Sequence, residues 1–317
     1  MLAGLSLPVV VALMFAGLLL DGLFGEVRHA HPLVGFGWYA NRLEAIFNRQ
    51  PGSIAAGLLG WCLAVFPLAV LAAVLLNSSA QISPWLTFCL HAVLLYFCLG
   101  LRSLRDHCLP IAQALERADL AQARQLTQRI VSRDTRGANA SDLSKAAVES
   151  LLENGNDAVF GTLFWFLLAG GAGALLFRLA NTLDAMWGYR NARFLAFGKV
   201  AARVDDGLNW VPARLTALSY LVLGKSGTAW HCWRTQARTW PSPNAGPVMS
   251  SGAGSLRLSL GGPACYEGVL EMRPPLGEGA PAQAHDIKRA WGLVFRSVLL
   301  WCGFMLLAAG IQFIWNA

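Results

Sequence analysis

The chain has 317 residues, of which 55% are hydrophobic and only 14% are charged. Soluble globular domains carry about 25% charged residues, so this composition excludes an ordinary cytosolic enzyme, a disordered tail and a nucleic-acid-binding arm. The 12 Trp and 32 Gly and the mean hydropathy of +0.47 are typical of membrane proteins. We therefore predict an all-α polytopic membrane protein in which residues 1–317 form a single integral membrane domain that binds no nucleic acid.

Four segments contain no Asp, Glu, Lys or Arg and are long enough to cross the lipid bilayer as helices. In chain order they are residues 5–20, 54–76, 84–101 and 297–315. The first lacks the basic flank and the cleavage site of a signal peptide, so we expect it to be retained. All 25 Lys and Arg lie in residues 25–53 and 102–296, and the positive-inside rule places both regions in the cytoplasm.

A fifth apolar segment, residues 158–180, is interrupted by GGAG at 170–173. Each half has about ten residues, which is too short to cross a bilayer at about 1.5 Å per residue. We therefore predict a central helical hairpin, re-entrant or interfacial, that must pack against protein. Residues 208–224 contain Pro212 and Arg214, and we expect a buried or interfacial helix there. His91 lies inside a predicted span, where a buried histidine that packs or bridges helices is favoured over a ligand.

The polar middle of the chain divides into two kinds of segment. Residues 102–157 have helical apolar spacing and good helix formers, so we predict a cytoplasmic helical segment. The region 240–290 is rich in Gly, Pro and Ser up to residue 285, and we predict cytoplasmic loops there, over a site. The seven Cys include no C-x-x-C pair and the six His no H-x-x-x-H spacing. A zinc site is therefore not indicated, and any metal is expected to be a hard cation on oxygen ligands.

Three carboxylates, Glu149, Glu153 and Asp157, follow one another at steps of four residues and would share one face of a helix. Like charges at this spacing repel unless a cation lies beside them. One interpretation is Mg²⁺ that bridges nucleotide phosphates. The other is a solvated face, or pairing with nearby basic residues, and the charge pattern alone favours this second interpretation.

A second concentration of polar residues lies between 181 and 214, beside Trp, Leu and Val. Acidic and amide groups near a membrane are costly unless they bind something. Arginines such as Arg190 and Arg214 suit phosphate or carboxylate, although the chain has no Walker A loop and no G-x-G-x-x-G following a strand. Near the N-terminus, Asp21 either caps a helix or faces the site. His31 is either a phosphate donor or a turn residue, and local signals favour the turn.

Together these motifs resemble the CbiB/CobD family, the adenosylcobinamide-phosphate synthases of cobalamin (vitamin B12) biosynthesis. The resemblance is carried by HPLVGFG at 31–37, SRDT at 132–135, AAVESLLENGNDAV at 146–159, LFWFLLAGGAGALLFRLANTLDAMWGYRN at 163–191, FGKVAARVDDGLNWVPARLTAL at 197–218, SPNAG at 242–246 and LGGP at 260–263. These blocks run in order over nearly the whole chain.

The resemblance implies a ligase that uses ATP and Mg²⁺ to form a C–N amide bond. Its substrates would be adenosylcobyric acid and aminopropanol phosphate, and its product adenosylcobinamide phosphate, formed through an acyl phosphate. It further implies a multi-pass protein of the bacterial inner membrane whose active site faces the cytoplasm. The lipid bilayer, the membrane cobalamin synthase and a second copy of the chain are the expected partners. An AmpE-like sensory protein without enzymatic activity and a corrinoid or cofactor transporter remain the alternatives.

The resemblance also suggests roles for individual residues. Metal and nucleotide phosphate would be held by Glu149, Glu153, Asp157 and Asp184. Asp205 or Asp206 would orient or deprotonate the amine, with Arg190 as a further catalytic residue. The expected substrate- and nucleotide-binding residues are Asp21, His31, Arg133, Asp134, Asn154, Asn181, Tyr189, Asn209, Arg214, Ser242 and Asn244.

Overall fold

A computed structural model describes residues 4–27, 31–49, 52–266 and 268–316. Most of these residues are helical, and a small sheet lies near the C-terminal end of the chain. The helices are α1 Leu7–Phe24, α2 Pro32–Phe47, α3 Ile54–Ile82, α4 Pro84–Cys98, α5 Leu101–Glu116, α6 Leu120–Gln128, α7 Ala140–Asn154, α8 Gly161–Trp187, α9 Lys199–Leu223, α10 Ser226–Gln236, α11 Ala245–Leu256 and α12 Ala284–Asn316. The strands are β1 Leu258–Tyr266, β2 Val269–Leu276 and β3 Ala280–Pro281.

Five helical stretches among the described residues are long and apolar enough to cross a membrane. They are α1, α3, α4 continued by α5, α7 continued through a π-helical turn (Gly155–Phe160) into α8, and α12. The prediction of a helical, polytopic membrane protein is therefore confirmed. Helix α9, which covers the predicted interfacial helix at 208–224, is not among the five.

The chain folds into two compact units. The first, which we call the N-unit, comprises residues 1–100, 157–209 and 305–317, and the second, the C-unit, comprises residues 101–156 and 210–304. The core of the N-unit is formed by apolar side chains of α2, α3, α8 and the start of α9. At its centre the rings of Trp187 and Phe197 meet edge to face at 4.9 Å.

Helix α8 reverses direction near its middle. Ala169 and Gly170 have non-helical backbone angles, and Gly170 has φ +62° and ψ −155°, which side chains other than hydrogen rarely permit. The Phe177 ring lies directly against Gly161, although these residues would be about 24 Å apart along a straight helix. The two halves of α8 therefore form the predicted helical hairpin. Its tip is held by His91, whose Nδ1 accepts a hydrogen bond from the Gly171 amide at 2.9 Å, so His91 bridges helices as expected.

The C-unit contains α5, α6 and α7, so the segment predicted to be helical at 102–157 is mostly helical, with connections at 117–119 and 129–139. The loops predicted within 240–290 are wrong. That region contains α11 and a three-stranded sheet of order β2-β1-β3, in which β1 is antiparallel to β2 and parallel to β3. All residues of α11 are buried. Its Gly, Ala and Ser residues allow close packing; for instance, Gly252 faces the Leu152 side chain without room for a Cβ.

Candidate functional site

A buried carboxylate with two arginines lies in the C-unit. Glu149, on α7, is 2% exposed and accepts hydrogen bonds from the guanidinium groups of Arg133 and Arg273. The Arg273 Nη1 lies 3.0 Å from Glu149 Oε2, and the Gly261 amide of β1 donates to Oε1 at 2.7 Å. Because two cations surround one anion, these three side chains together carry a net positive charge. One further carboxylate lies beside them.

That neighbour is Glu153, one turn further along α7. It interacts electrostatically with Glu149, Arg133 and Arg273, and no described residue donates a hydrogen bond to its carboxylate. Both glutamates line a cavity of about 260 Å³. We call this the Glu149 cavity; its lining also includes Arg133, Asn154, Trp240 and Arg273.

Four residues predicted from the sequence therefore meet in this cavity: Arg133, Glu149, Glu153 and Asn154. The Asn154 amide donates to the Ser150 carbonyl at 3.0 Å, which fixes its orientation. Asp134 does not line the cavity. Its carboxylate pairs with Arg136, and these hydrogen bonds lower its pKa to about 2.

Arg273 is the residue of this cluster that the sequence analysis missed. It lies on β2, in a region predicted to be a loop, and no spacing or motif distinguishes it. Its guanidinium lies 5.5 Å from the centre of the Trp240 ring, so Trp240 helps to hold it against Glu149.

A second polar cluster lies in the N-unit, around Asp205 on α9. The side-chain amides of Asn181 and Asn209 each donate to Asp205, at 3.2 Å and 3.1 Å. Asp205 is 8% exposed, and burial raises its pKa to about 6. A carboxylate that titrates near neutrality is suited to accept a proton. The structure thus brings together three of the predicted residues, whose roles in catalysis and binding stay predictions.

The adjacent Asp206 is less buried. Burial raises its pKa, opposed by the nearby guanidinium groups of Arg203 and Arg190. Arg190 and Asp206, both predicted to be catalytic, are therefore close enough to interact. Tyr189 is 53% exposed. Asp184 accepts a hydrogen bond from the Gly188 amide through its backbone carbonyl at 2.7 Å, as part of the end of α8.

A third group in the N-unit surrounds Arg178, in the second half of the α8 hairpin. The carboxylates of Asp157 and Glu26 interact electrostatically with its guanidinium, and the Arg178 Nε has no hydrogen-bond partner among the residues that the structure describes. Arg178 was also missed, although an arginine inside an apolar segment (LLFRLA) is a recognised signal of function. Asp157 is thus placed beside a cation in the N-unit.

Two predicted residues near the N-terminus have structural partners. His31 caps α2, because its Nδ1 accepts a hydrogen bond from the Leu33 amide at 3.2 Å. Burial lowers the pKa of His31, so the neutral ring that can accept this bond is favoured. Asp21 is 3% exposed on α1, and its backbone carbonyl accepts a hydrogen bond from the Gly25 amide that ends the helix. The turn interpretation of His31 fits this geometry.

The remaining predicted binding residues meet in the C-unit. Arg214 donates to the Asn244 side chain at 2.8 Å and to the Pro243 carbonyl at 3.1 Å. Ser242 accepts a hydrogen bond from the Ala245 amide at 3.2 Å at the start of α11. Arg214, Ser242 and Asn244 therefore form one corner, in which the two polar side chains position the arginine and the helix start.

The four predicted metal ligands do not form one cluster. Among residues 4–27, 31–49, 52–266 and 268–316, no group of three or more His, Cys, Asp or Glu could hold a metal ion. Glu149 is engaged by two arginines, and Asp157 interacts with Arg178. Within the C-unit, Glu153 is the predicted ligand whose carboxylate faces a cavity without a hydrogen-bonded cation.

Comparison with known proteins places the chain among cobalamin biosynthesis proteins. The family model described as CobD/Cbib protein matches residues 14–294. The chain is 54% identical to the "Cobalamin biosynthesis protein CobD" of Stutzerimonas stutzeri over 286 residues, which cover 90% of this chain and 93% of the relative. The protein of the same name from Chromobacterium violaceum is 50% identical over 301 residues, 92% of this chain and 94% of the relative. That from Mycobacterium tuberculosis is 37% identical over 282 residues, 86% and 88% of the two chains. No solved structure matches.

Proposed function

The chain belongs to the CobD/CbiB family, and from that premise we propose that it acts in cobalamin biosynthesis as an ATP-dependent amide ligase. The reaction joins the free carboxylate of adenosylcobyric acid to the amine of aminopropanol phosphate. The product is adenosylcobinamide phosphate. The protein lies in the bacterial inner membrane, and its catalytic residues face the cytoplasm, where ATP is present.

The observation that supports this proposal most is the Glu149 cavity. It combines two guanidinium groups, Arg133 and Arg273, with the carboxylate of Glu153 in a space of about 260 Å³. Guanidinium groups suit phosphate and carboxylate oxygens, and a carboxylate suits a hard cation. A cavity with both is equipped for a phosphoryl group and the metal ion that accompanies it.

The residues of this cavity fit Mg²⁺ in one particular way. Mg²⁺ commonly binds through one or two carboxylates together with substrate phosphates and water. Glu153 supplies one carboxylate, whereas Glu149 is neutralised by its arginines. Glu153 would therefore hold the ion, and Glu149 would act as a positioning residue for Arg133 and Arg273. When bound, ATP with Mg²⁺ supplies an electrophilic phosphoryl group.

The chemistry has two steps, because a carboxylate is a poor acyl donor. An oxygen of the corrinoid carboxylate attacks the γ-phosphorus of ATP, the bond from that phosphorus to the bridging oxygen of ADP breaks, and ADP leaves. The substrate amine then attacks the acyl carbon, inorganic phosphate leaves with its electron pair, and the nitrogen loses a proton. Arg133 and Arg273 stabilise the negative charge that develops on the transferred phosphoryl group and on the departing phosphate.

Detergent-purified protein tests the proposal. We expect amide product and ADP to form in equal amounts from adenosylcobyric acid, aminopropanol phosphate, ATP and Mg²⁺. The product is followed by liquid chromatography and the ADP by a coupled assay. Folded protein that yields neither product nor ADP would contradict the proposal.

A substitution in the cavity sharpens this test. Glu153→Gln keeps the shape of the side chain but removes its charge, and we expect turnover to fall by about 100-fold or more, with unchanged expression. Glu271→Gln is the matched control, because Glu271 is an exposed glutamate of the same unit that does not line the cavity. Activity of Glu153→Gln equal to that of Glu271→Gln would remove Glu153 from the site.

A further inference from the structure

A second cavity in the C-unit, of about 660 Å³, has a different character. It is lined by three arginines, Arg214, Arg234 and Arg238, and by three tryptophans, Trp230, Trp233 and Trp240. We call it the Trp/Arg cavity. Its size falls within the range of about 300 to 1,000 Å³ that is typical of small-molecule sites.

The charge of the Trp/Arg cavity is positive and uncompensated. No acidic residue lines it among the described residues. Arg214 is held by neutral groups, Asn244 and the Pro243 carbonyl. Within the described ranges, no carboxylate forms an ion pair with Arg234 or Arg238, although His231 on the same helix α10 pairs with Glu278. Arginines of this kind favour a ligand with several negative charges.

The tryptophans give the cavity flat apolar walls. The Trp230 indole is 49% exposed and meets Trp233 edge to face at 5.8 Å. The Arg234 guanidinium lies 5.7 Å from the centre of the Trp230 ring, so a cation and an aromatic face stand side by side. Exposed indole faces are groups on which nucleic-acid bases stack.

The Trp/Arg cavity adjoins the Glu149 cavity, because Trp240 lines both. On the other cavity's side, the Trp240 ring lies 5.5 Å from the guanidinium of Arg273. None of the six residues lies in a helix that is long and apolar enough to span the membrane. A soluble anion can therefore approach the Trp/Arg cavity without passing through the bilayer. Once bound, it would lie next to the Glu149 cavity, which contains Glu153.

We propose that the Trp/Arg cavity is the binding site for a nucleoside triphosphate, with the base against the indoles and the phosphates on Arg214, Arg234 and Arg238. This assignment rests on the proposed ligase function, because ATP is the nucleotide of that reaction. It differs from the expectation that nucleotide phosphate lies on the acidic residues of α7. Glu153, in the adjoining cavity, then holds the metal ion beside the transferred phosphoryl group, whereas the arginines and tryptophans of the Trp/Arg cavity bind the rest of the nucleotide.

Equilibrium binding to the full-length, detergent-purified protein tests this site independently of turnover. A fluorescent trinitrophenyl analogue of ATP is bound, and its displacement by ATP, by adenosine and by inorganic triphosphate is measured. We expect ATP to bind more tightly than either adenosine or triphosphate alone, because the site contacts both the base and the phosphates.

Two sets of variants separate those contacts. Arg234→Gln with Arg238→Gln should weaken ATP and triphosphate by about tenfold or more. Trp230→Ala should weaken ATP by about fivefold or more and leave triphosphate unchanged. The matched control is Arg117→Gln with Arg129→Gln, two exposed arginines of the same unit outside the cavity, for which no change is expected. Circular dichroism and gel filtration verify that each variant is folded.

The outcomes distinguish this inference from the function on which it rests. If the wild type binds no ATP, both are overturned. If the wild type and both cavity variants bind ATP equally well, the site assignment is overturned while the ligase proposal stands. If nanodiscs with anionic phosphatidylglycerol displace the analogue but ATP does not, the cavity holds a lipid headgroup and the nucleotide assignment is wrong.

Discussion

Removing the charge of Glu149 tests whether the buried ion cluster holds the C-unit together. In Glu149→Gln, the side chain still accepts the bond from the Gly261 amide, but two guanidinium groups lose their counter-charge. The Arg133 and Arg273 side chains are each only 12% exposed, so water cannot fully solvate them. Breaking a buried ion pair by removing one partner costs about 3 to 5 kcal/mol. We expect Glu149→Gln to lower the free energy of unfolding by that amount.

The intrinsic fluorescence of the 12 Trp reports unfolding of the purified protein in detergent. At about 2 °C per kcal/mol, the midpoint of thermal unfolding should fall by roughly 6 to 10 °C. A matched variant in which Glu149, Arg133 and Arg273 are replaced by Met and the neighbouring Glu153 by Gln leaves no unpaired charge in the cluster, so we expect a smaller loss than in Glu149→Gln. A midpoint for Glu149→Gln within about 1 °C of the wild type would show that Glu149 does not stabilise the C-unit through its charge.

Three further predictions concern the N-unit. Burial raises the pKa of Asp205 to about 6 from an ordinary 3.8. Its contribution to stability, on the order of 2 to 3 kcal/mol, is therefore present below about pH 4 and lost as the pH rises through 6. In Asp205→Asn, unfolding midpoints measured from pH 4 to 7 should lose this pH dependence, and midpoints that change with pH in parallel in the variant and the wild type would contradict it. Gly170→Ala should destabilise the α8 hairpin by about 1 to 3 kcal/mol. The control Gly292→Ala lies in a helix with open space around the residue and should not destabilise the protein. Equal unfolding midpoints for the two variants would argue against a reversal of α8 at Gly170. His91→Leu should lower the free energy of unfolding by about 1 to 3 kcal/mol because it leaves the Gly171 amide unpaired. His91→Gln retains an acceptor and should recover part of that loss. Identical unfolding midpoints for the two variants would exclude a role for the hydrogen bond.

The sequence predicts the membrane helices and the α8 hairpin for simple reasons. A helix that crosses a bilayer must be apolar over about 20 residues, and this requirement is visible in any one segment alone. The GGAG at 170–173 divides an apolar run into halves of inadequate length, and Gly170 then adopts the backbone angles of the reversal. In both cases a short stretch of sequence determines the structure of that same stretch.

Helix α11 shows why the prediction of loops at 240–290 is wrong. Gly, Ser and Pro mark loops when they are exposed, but the same small residues permit close packing when they are buried. Ser251 and Ser255 donate hydrogen bonds to the carbonyls of Ala217 and Tyr220 on α9. Only these tertiary partners distinguish a buried helix from a loop, and the sequence of α11 does not reveal them.

The candidate site is predicted only in part for a related reason. The four-residue period correctly places Glu149 and Glu153 together, but the π-helical turn at Gly155–Phe160 interrupts that period before Asp157. The cations that balance these carboxylates come from distant parts of the chain: Arg273 lies 124 residues after Glu149. Charge pattern along one helix therefore identifies carboxylates that need partners but does not identify the partners.

Isotope transfer tests whether the protein is an amide ligase that activates its acid substrate with ATP. Adenosylcobyric acid labelled with ¹⁸O in its free carboxylate is incubated with aminopropanol phosphate, ATP, Mg²⁺ and the purified protein. We predict amide product together with inorganic phosphate that carries one ¹⁸O per turnover, because the acyl oxygen leaves with the phosphoryl group. Amide product with unlabelled phosphate, or labelled acid recovered unchanged from folded protein, would contradict activation of the acid by ATP.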